Sequence, residues 1–168
     1  SLYTFWRRIV GPTMFFDSAK RQTCSVKDAR TNTPLHALTT LNDITYVEAA
    51  RAMAQRVLQD DGVGSLFRPN ASPLETPPAE KDSRPLTARR IETAFRLATS
   101  RTPSPAETDL LATRLKTLEQ YYRRTPEDAT KLLSIGESPR DEKFDAAEHA
   151  AHTGLCSLIL NLDEALTK

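Results

Sequence analysis

Apolar residues recur along this chain at helical spacing, and the polar residues between them supply starts and stops. Leu35, Leu38 and Leu41 form a short apolar face after Thr33-Pro34. Thr33 is suited to cap that helix, and Pro34 to fill its first position, where a missing N–H is no loss. Asn42-Asp43 interrupts the pattern, and Asp43 suits the cap of a second helix, where its charge also favours the helix dipole. Val47, Ala50, Ala54 and Val57 then recur, with Met53 beside them, to about Asp60, and Gly62 is a stop. Glu48, Arg51 and Gln55 lie off that stripe and read as a surface set.

Helical spacing resumes at Thr87, with Ile91, Ala94, Phe95 and Ala98 on one face. Ser104-Pro105 followed by Glu107 is a capping box, and Leu111, Leu115, Leu118 and Tyr122 form the stripe it opens. Thr125-Pro126 repeats the start signal for a helix holding Leu132, Leu133 and Ile135 and stopping at Gly136. Asp145 with Glu148 is a third box-like start, leading into Ala147, Ala151, Leu155, Leu158 and Leu162. No strand-period run of useful length interrupts this series. The pattern predicts an all-α fold, an irregular bundle of about six helices.

Two regions break it. Residues 62–85 hold five of the eleven prolines among Gly, Ser and charges, and are expected to be a flexible insertion with Leu66-Phe67 as its apolar handle. Residues 1–16 instead concentrate Leu2, Tyr3, Phe5, Trp6, Ile9, Phe15 and Phe16, a density that suggests packing against the domain body or against sequence upstream.

At 168 residues the chain suffices for one domain, residues 1–168, with a core of its own. A net charge of +1 argues against a dedicated nucleic-acid binder. Six basic residues face two acids in residues 1–30, and seven acids face Arg140, Lys143 and Lys168 in residues 137–168. Such ends attract weakly across solvent. No apolar run is long enough for a membrane span, and Ser1-Leu2-Tyr3 opens without the pattern of a leader. No Walker loop, dinucleotide fingerprint, nucleophile elbow or H-E-x-x-H motif is present, and no C-x-x-C-H site for attached haem c.

The segments SLYTFWRR, RTNTPLHAL–LND–VEAAR, AFRLATSRTPSPAE and SLILNLDEALTK occur in one order. In this they resemble the planctomycete-type PSD-one C-terminal domain, a domain of unknown function (number fifteen fifty-three). The resemblance implies a C-terminal fragment of a longer exported protein, with an extracytoplasmic address. It also implies partner modules upstream in the same polypeptide, among them cytochrome-c-like ones that would carry haem c. This chain itself is expected to hold no cofactor. The resemblance supplies no activity.

Three residue sets carry candidate chemistry. Arg30, Asn32, His36, Asn42, Asp43 and Glu48 fall on the family-like motifs. A catalytic reading makes His36 an acid/base or ligand, Asp43 or Glu48 its orienting carboxylate, and Arg30 an anion binder. The competing reading makes Asn32, Asn42 and Asp43 caps and turns, and Glu48–Arg51 a surface pair. His149, His152 and Cys156 share a helix face away from Leu155, Leu158 and Leu162, and imidazole and thiolate are zinc or copper ligands. The alternative is two surface histidines and a packed cysteine. Cys24 and Cys156 are a possible disulfide in an exported protein, or two free thiols. These readings lead to two expectations: an accessory helical domain packing on its upstream modules, or a contributor of His36 and its polar neighbours to a secreted hydrolytic or redox site.

Overall fold

The computed structural model describes residues 34–59 and 84–166. Among these the chain is all-α, with seven helices and no strand: α1 (Pro34–Asn42), α2 (Ile44–Gln59), α3 (Leu86–Thr99), α4 (Pro105–Arg124), α5 (Pro126–Leu133), α6 (Ala146–Leu160) and α7 (Asp163–Leu166). Residues 1–33 and 60–83, which include the N-terminal aromatics and nearly all of the Pro-rich segment, lie outside the described residues.

The helix starts follow from local chemistry. Ser104 accepts from the Glu107 N–H at 3.3 Å, and the Glu107 carboxylate accepts from the Ser104 N–H at 2.7 Å, a complete capping box with Pro105 at the first position. Asp43 accepts from the Thr45 N–H at 2.9 Å and starts α2. The other two starts differ from expectation. Pro126 opens α5, but the Thr125 hydroxyl donates backwards to the Tyr121 carbonyl and caps nothing. Asp145 accepts from the Glu148 N–H, yet Glu148 turns away to Arg90 at 2.7 Å, so only half of that box forms.

Helix α6 packs against every other helix. Its sequence permits this because it is built largely of small residues. A methyl group added at Gly154 would stand 3.3 Å from Leu118, so α4 already lies close along that side. The main core joins Ala50, Ala54 and Val57 of α2, Ile91 and Phe95 of α3, Leu111 and Leu115 of α4, and Ala151, Leu155 and Ile159 of α6. A smaller cluster of Ala129, Leu133 and Ala150 fastens α5 to the other side of α6.

Three expectations about faces are corrected. Leu38 and Leu41 of α1 are exposed, Leu38 by 60 %, and Thr40 is the residue turned inward, donating to Asn161 at 2.7 Å. On α6, Leu158 is exposed whereas His149, His152 and Cys156 are buried, so α6 buries more than one stripe. The last helix also ends at Leu160, two residues before the expected Leu162. The Asn161 side chain is held by Thr40, and the chain restarts as the short α7.

Leu155 and Leu158 differ by three residues and by their surroundings. Leu155→Ala should destabilise the chain by about 3 kcal/mol in urea denaturation, and Leu158→Ala by less than about 1 kcal/mol. Equal losses would contradict the assignment of the buried face.

Candidate functional site

The residues expected to carry chemistry separate into three places. Arg30 and Asn32 lie outside the described residues. His36 falls in the first turn of α1, and its side chain also lies outside what is described. Asn42 donates to the Leu38 carbonyl at 2.7 Å, bracing the end of its own helix. Asp43 is the α2 cap. Glu48 alone reaches across the fold.

Glu48 and Arg51 are one turn apart on α2, and both engage the segment that ends α5. The Glu48 carboxylate accepts from the N–H and the hydroxyl of Ser138. These bonds, with one from the Glu137 N–H, hold its pKa below the usual carboxylate value, and the Arg51 charge adds to the effect. Gly136 makes this cradle possible. Its φ is +98°, and a Cβ there would stand 2.5 Å from Glu48 Cδ. Arg51 was expected on the surface but is 4 % exposed. Its guanidinium donates to the Leu133 carbonyl at 2.8 Å and the Ser138 carbonyl at 2.7 Å, with the Glu48 carboxylate 3.6 Å away. The periodicity of α2 puts Arg51 beside the buried stripe. What makes burial tolerable is the set of backbone acceptors supplied by a loop far along the chain.

The histidines of α6 sit behind Arg51. His149 Nε2–H donates to the Arg51 carbonyl, with the heavy atoms 3.4 Å apart, and the Phe144 ring meets the imidazole edge to face. His152 Nδ1–H donates to the Glu148 carbonyl at 2.9 Å. The carbonyl partners select which nitrogen carries the proton in the neutral form of each ring, and the second nitrogen of each, His149 Nδ1 and His152 Nε2, is buried without a partner. Burial is the main cause that lowers both pKa values. Arg140 and Arg51 act in the same direction on His149, and Arg90 on His152, while Glu148 and Glu119 oppose at His152.

The metal expectation for His149, His152 and Cys156 is not supported by this geometry. Cys156 lies in the apolar core, where burial raises its thiol pKa to about 12. Among the described residues no three His, Cys, Asp or Glu side chains are grouped to hold a metal ion. Cys156 pairs with no other cysteine among the described residues, and Cys24, its partner in the expected bridge, lies outside them.

A second cluster was missed from sequence. Arg101, in the motif SRTPSPAE, stacks on Phe95 at 4.6 Å and pairs with Glu107 at 2.7 Å and Glu164 at 2.6 Å. It ties the α3–α4 turn to α7. Its partner Glu107 also serves in the capping box and is held down to about 2, first by Arg101 and then by Ser104. The periodic pattern carries no sign of a pairing between residues 101 and 164. Cysteine and histidine spacing likewise drew attention to α6 and away from Arg140.

Among known proteins, the family model described as PSD1, protein of unknown function (DUF1553), matches residues 1–115. That range contains the first three of the four motif segments. No curated protein and no solved structure matches.

Three outcomes are expected. Arg51→Ala removes two charge-assisted bonds and leaves buried acceptors unmet, and it should cost about 3 kcal/mol in urea denaturation. Gly136→Ala should cost at least about 1 kcal/mol through its φ and its clash with Glu48. Acid should also loosen the domain. Because the folded pKa values of His149 and His152 lie below the ordinary 6.5, their stabilising contribution is complete above about pH 6.5. It declines as the pH falls from there through the lowered folded values, because the unfolded chain takes up protons first. The slope should reach at most about 1.4 kcal/mol per pH unit for each imidazole. Melting followed from pH 7.5 to pH 5 should show it, and a His149→Gln/His152→Gln variant should flatten it.

Proposed function

The chain belongs to the PSD1 family of proteins of unknown function (DUF1553), and from that premise we propose that it is a non-catalytic, accessory helical domain of an exported multidomain protein. In this reading it packs on the modules that precede it in its own polypeptide, and any haem c belongs to those modules. The observation that carries the reading is the outer face of α1 and the start of α2. Leu38, Leu41 and Ile44 stand 60 %, 38 % and 64 % exposed at three-residue spacing, an apolar row that no described residue covers. An apolar face left open in this way marks a contact surface more often than a solvated one. The described polar candidates of the motif region point the same way. Asn42, Asp43, Glu48 and Arg51 are each engaged in caps or latches, which favours a structural module over a reaction centre. Among the described residues no helix is long and apolar enough to cross a membrane.

The test is a far-UV circular dichroism melt of this chain, alone and mixed with the preceding part of its polypeptide. Mixing should raise the melting temperature or sharpen the transition. A Leu38→Asp/Ile44→Asp variant should melt normally alone and lose the response to mixing. A wild-type melt that the preceding part leaves unmoved would sink the docking reading.

A further inference from the structure

A cleft of about 240 Å³ opens where the last turn of α5 meets the segment leading to α6. Arg51 and Arg140 line it, together with Thr130, Ser134 and Ser138. Its charge is unbalanced. Glu48 stands 3.6 Å from Arg51 and is already held by the N–H and hydroxyl of Ser138. Arg140 forms no ion pair among the described residues, and its Nε is buried without an acceptor. The lining thus holds two guanidinium groups and no carboxylate. A buried guanidinium N–H with no acceptor is costly in a native structure, and an oxyanion is the ligand whose planar or tetrahedral oxygens suit the fork.

The hydroxyls narrow the class. Thr130 donates to the Pro126 carbonyl at 3.0 Å and Ser134 to the Lys131 carbonyl at 2.8 Å. Their protons are committed to the helix, so they face the cleft as acceptors. The Leu133 carbonyl, which would repel an anion, is covered by Arg51. A matching ligand offers charged oxygens to the arginines and an O–H to the hydroxyl oxygens. A carboxylate has no such proton near neutral pH, whereas a phosphate group, with a second pKa near 6, has one on a substantial fraction of molecules.

We propose that the cleft between the last turn of α5 and the segment leading to α6 binds a phosphate group, held by the free fork of Arg140 and the remaining N–H groups of Arg51, with the hydroxyls of Thr130 and Ser134 accepting its proton. The site uses none of the residues of the α1 docking face and stands or falls separately from it.

The experiment is isothermal titration of the 168-residue chain with inorganic phosphate and with glycerol phosphate, at constant ionic strength set by chloride. Saturable one-to-one binding is expected, weakened by about tenfold or more in Arg140→Ala, as fits loss of charge-assisted bonds. Arg114→Ala, on the surface of α4, should bind as the wild type does. Tighter binding of glycerol phosphate would identify a phosphate monoester as the ligand, and equal or weaker binding would identify the free ion. Either result supports the site. If Arg140→Ala proves unfolded by its melt, Arg140→Lys replaces it. Lysine keeps the charge and loses the fork, and weaker binding is again expected. No saturable heat from the wild type, binding indifferent to the Arg140 variant that folds, or equal weakening by Arg114→Ala would overturn the proposal.

Discussion

The fold depends on a buried positive charge. Arg51 lies on the helix face that also carries Ala50 and Ala54, and a guanidinium there is tolerable only because carbonyl groups are aimed at it. Those carbonyls belong to the end of α5 and to the turn at Ser138, so placing Arg51 correctly places α5. Glu48 completes the latch by seating its carboxylate in the turn that Gly136 shapes. α5 has only eight residues and contributes two buried side chains, Ala129 and Leu133, with Leu132 packed alongside, to a small apolar cluster. A helix that short is marginal without tertiary support. The polar latch supplies the position that so little burial would leave loose.

The same economy recurs at Arg101. One guanidinium rests on Phe95 and binds two carboxylates from different parts of the chain, and one of those carboxylates also caps α4. Exposed pairs of this kind contribute little individually, so their use here is orientation. Together the two arginines hold the ends of α4, α5 and α7 around α6. They explain why the segments VEAAR and SRTPSPAE carry charge where plain amphipathic helices would suffice.

Much of the architecture was legible in the sequence because it rests on local rules. The Ser104–Glu107 box, the Asp43 cap, the prolines at helix starts and the stripe Val47–Ala50–Ala54–Val57 depend on neighbours within a turn or two, and they appear where the spacing puts them. The errors lie where a distant partner overrides local pattern. Leu38 and Leu41 looked like a core stripe because they are leucines at helical spacing, but the seat of α1 is set by Thr40 reaching Asn161, 121 residues away. Arg51 looked like a surface partner of Glu48 because nothing nearby hints at the Leu133 and Ser138 carbonyls. His149 and His152 looked exposed because Leu155, Leu158 and Leu162 claimed the buried side. With α2, α3, α4 and α5 all arranged around α6, burial reaches beyond any single stripe. The candidate site was therefore half visible: its residues stood in the motifs, while the geometry that assigns them latching roles came from across the chain.

The central position of α6 also bears on how this chain reaches its native state. The main helix pairing joins α2 to α6, and the contact of His149 with Arg51 spans 98 residues. Helical domains built from neighbouring hairpins gain their contacts early and fold fast, whereas long-range pairing must first close a large loop. Here α2 has its principal partner only once α3, α4 and α5 have been brought into place. Closure entropy grows slowly with length, by about 0.6 kcal/mol for each doubling, so the 24 residues between the described parts of the chain add little to a loop already this long. The Pro-rich connection between α2 and α3 can thus vary in length at small thermodynamic expense.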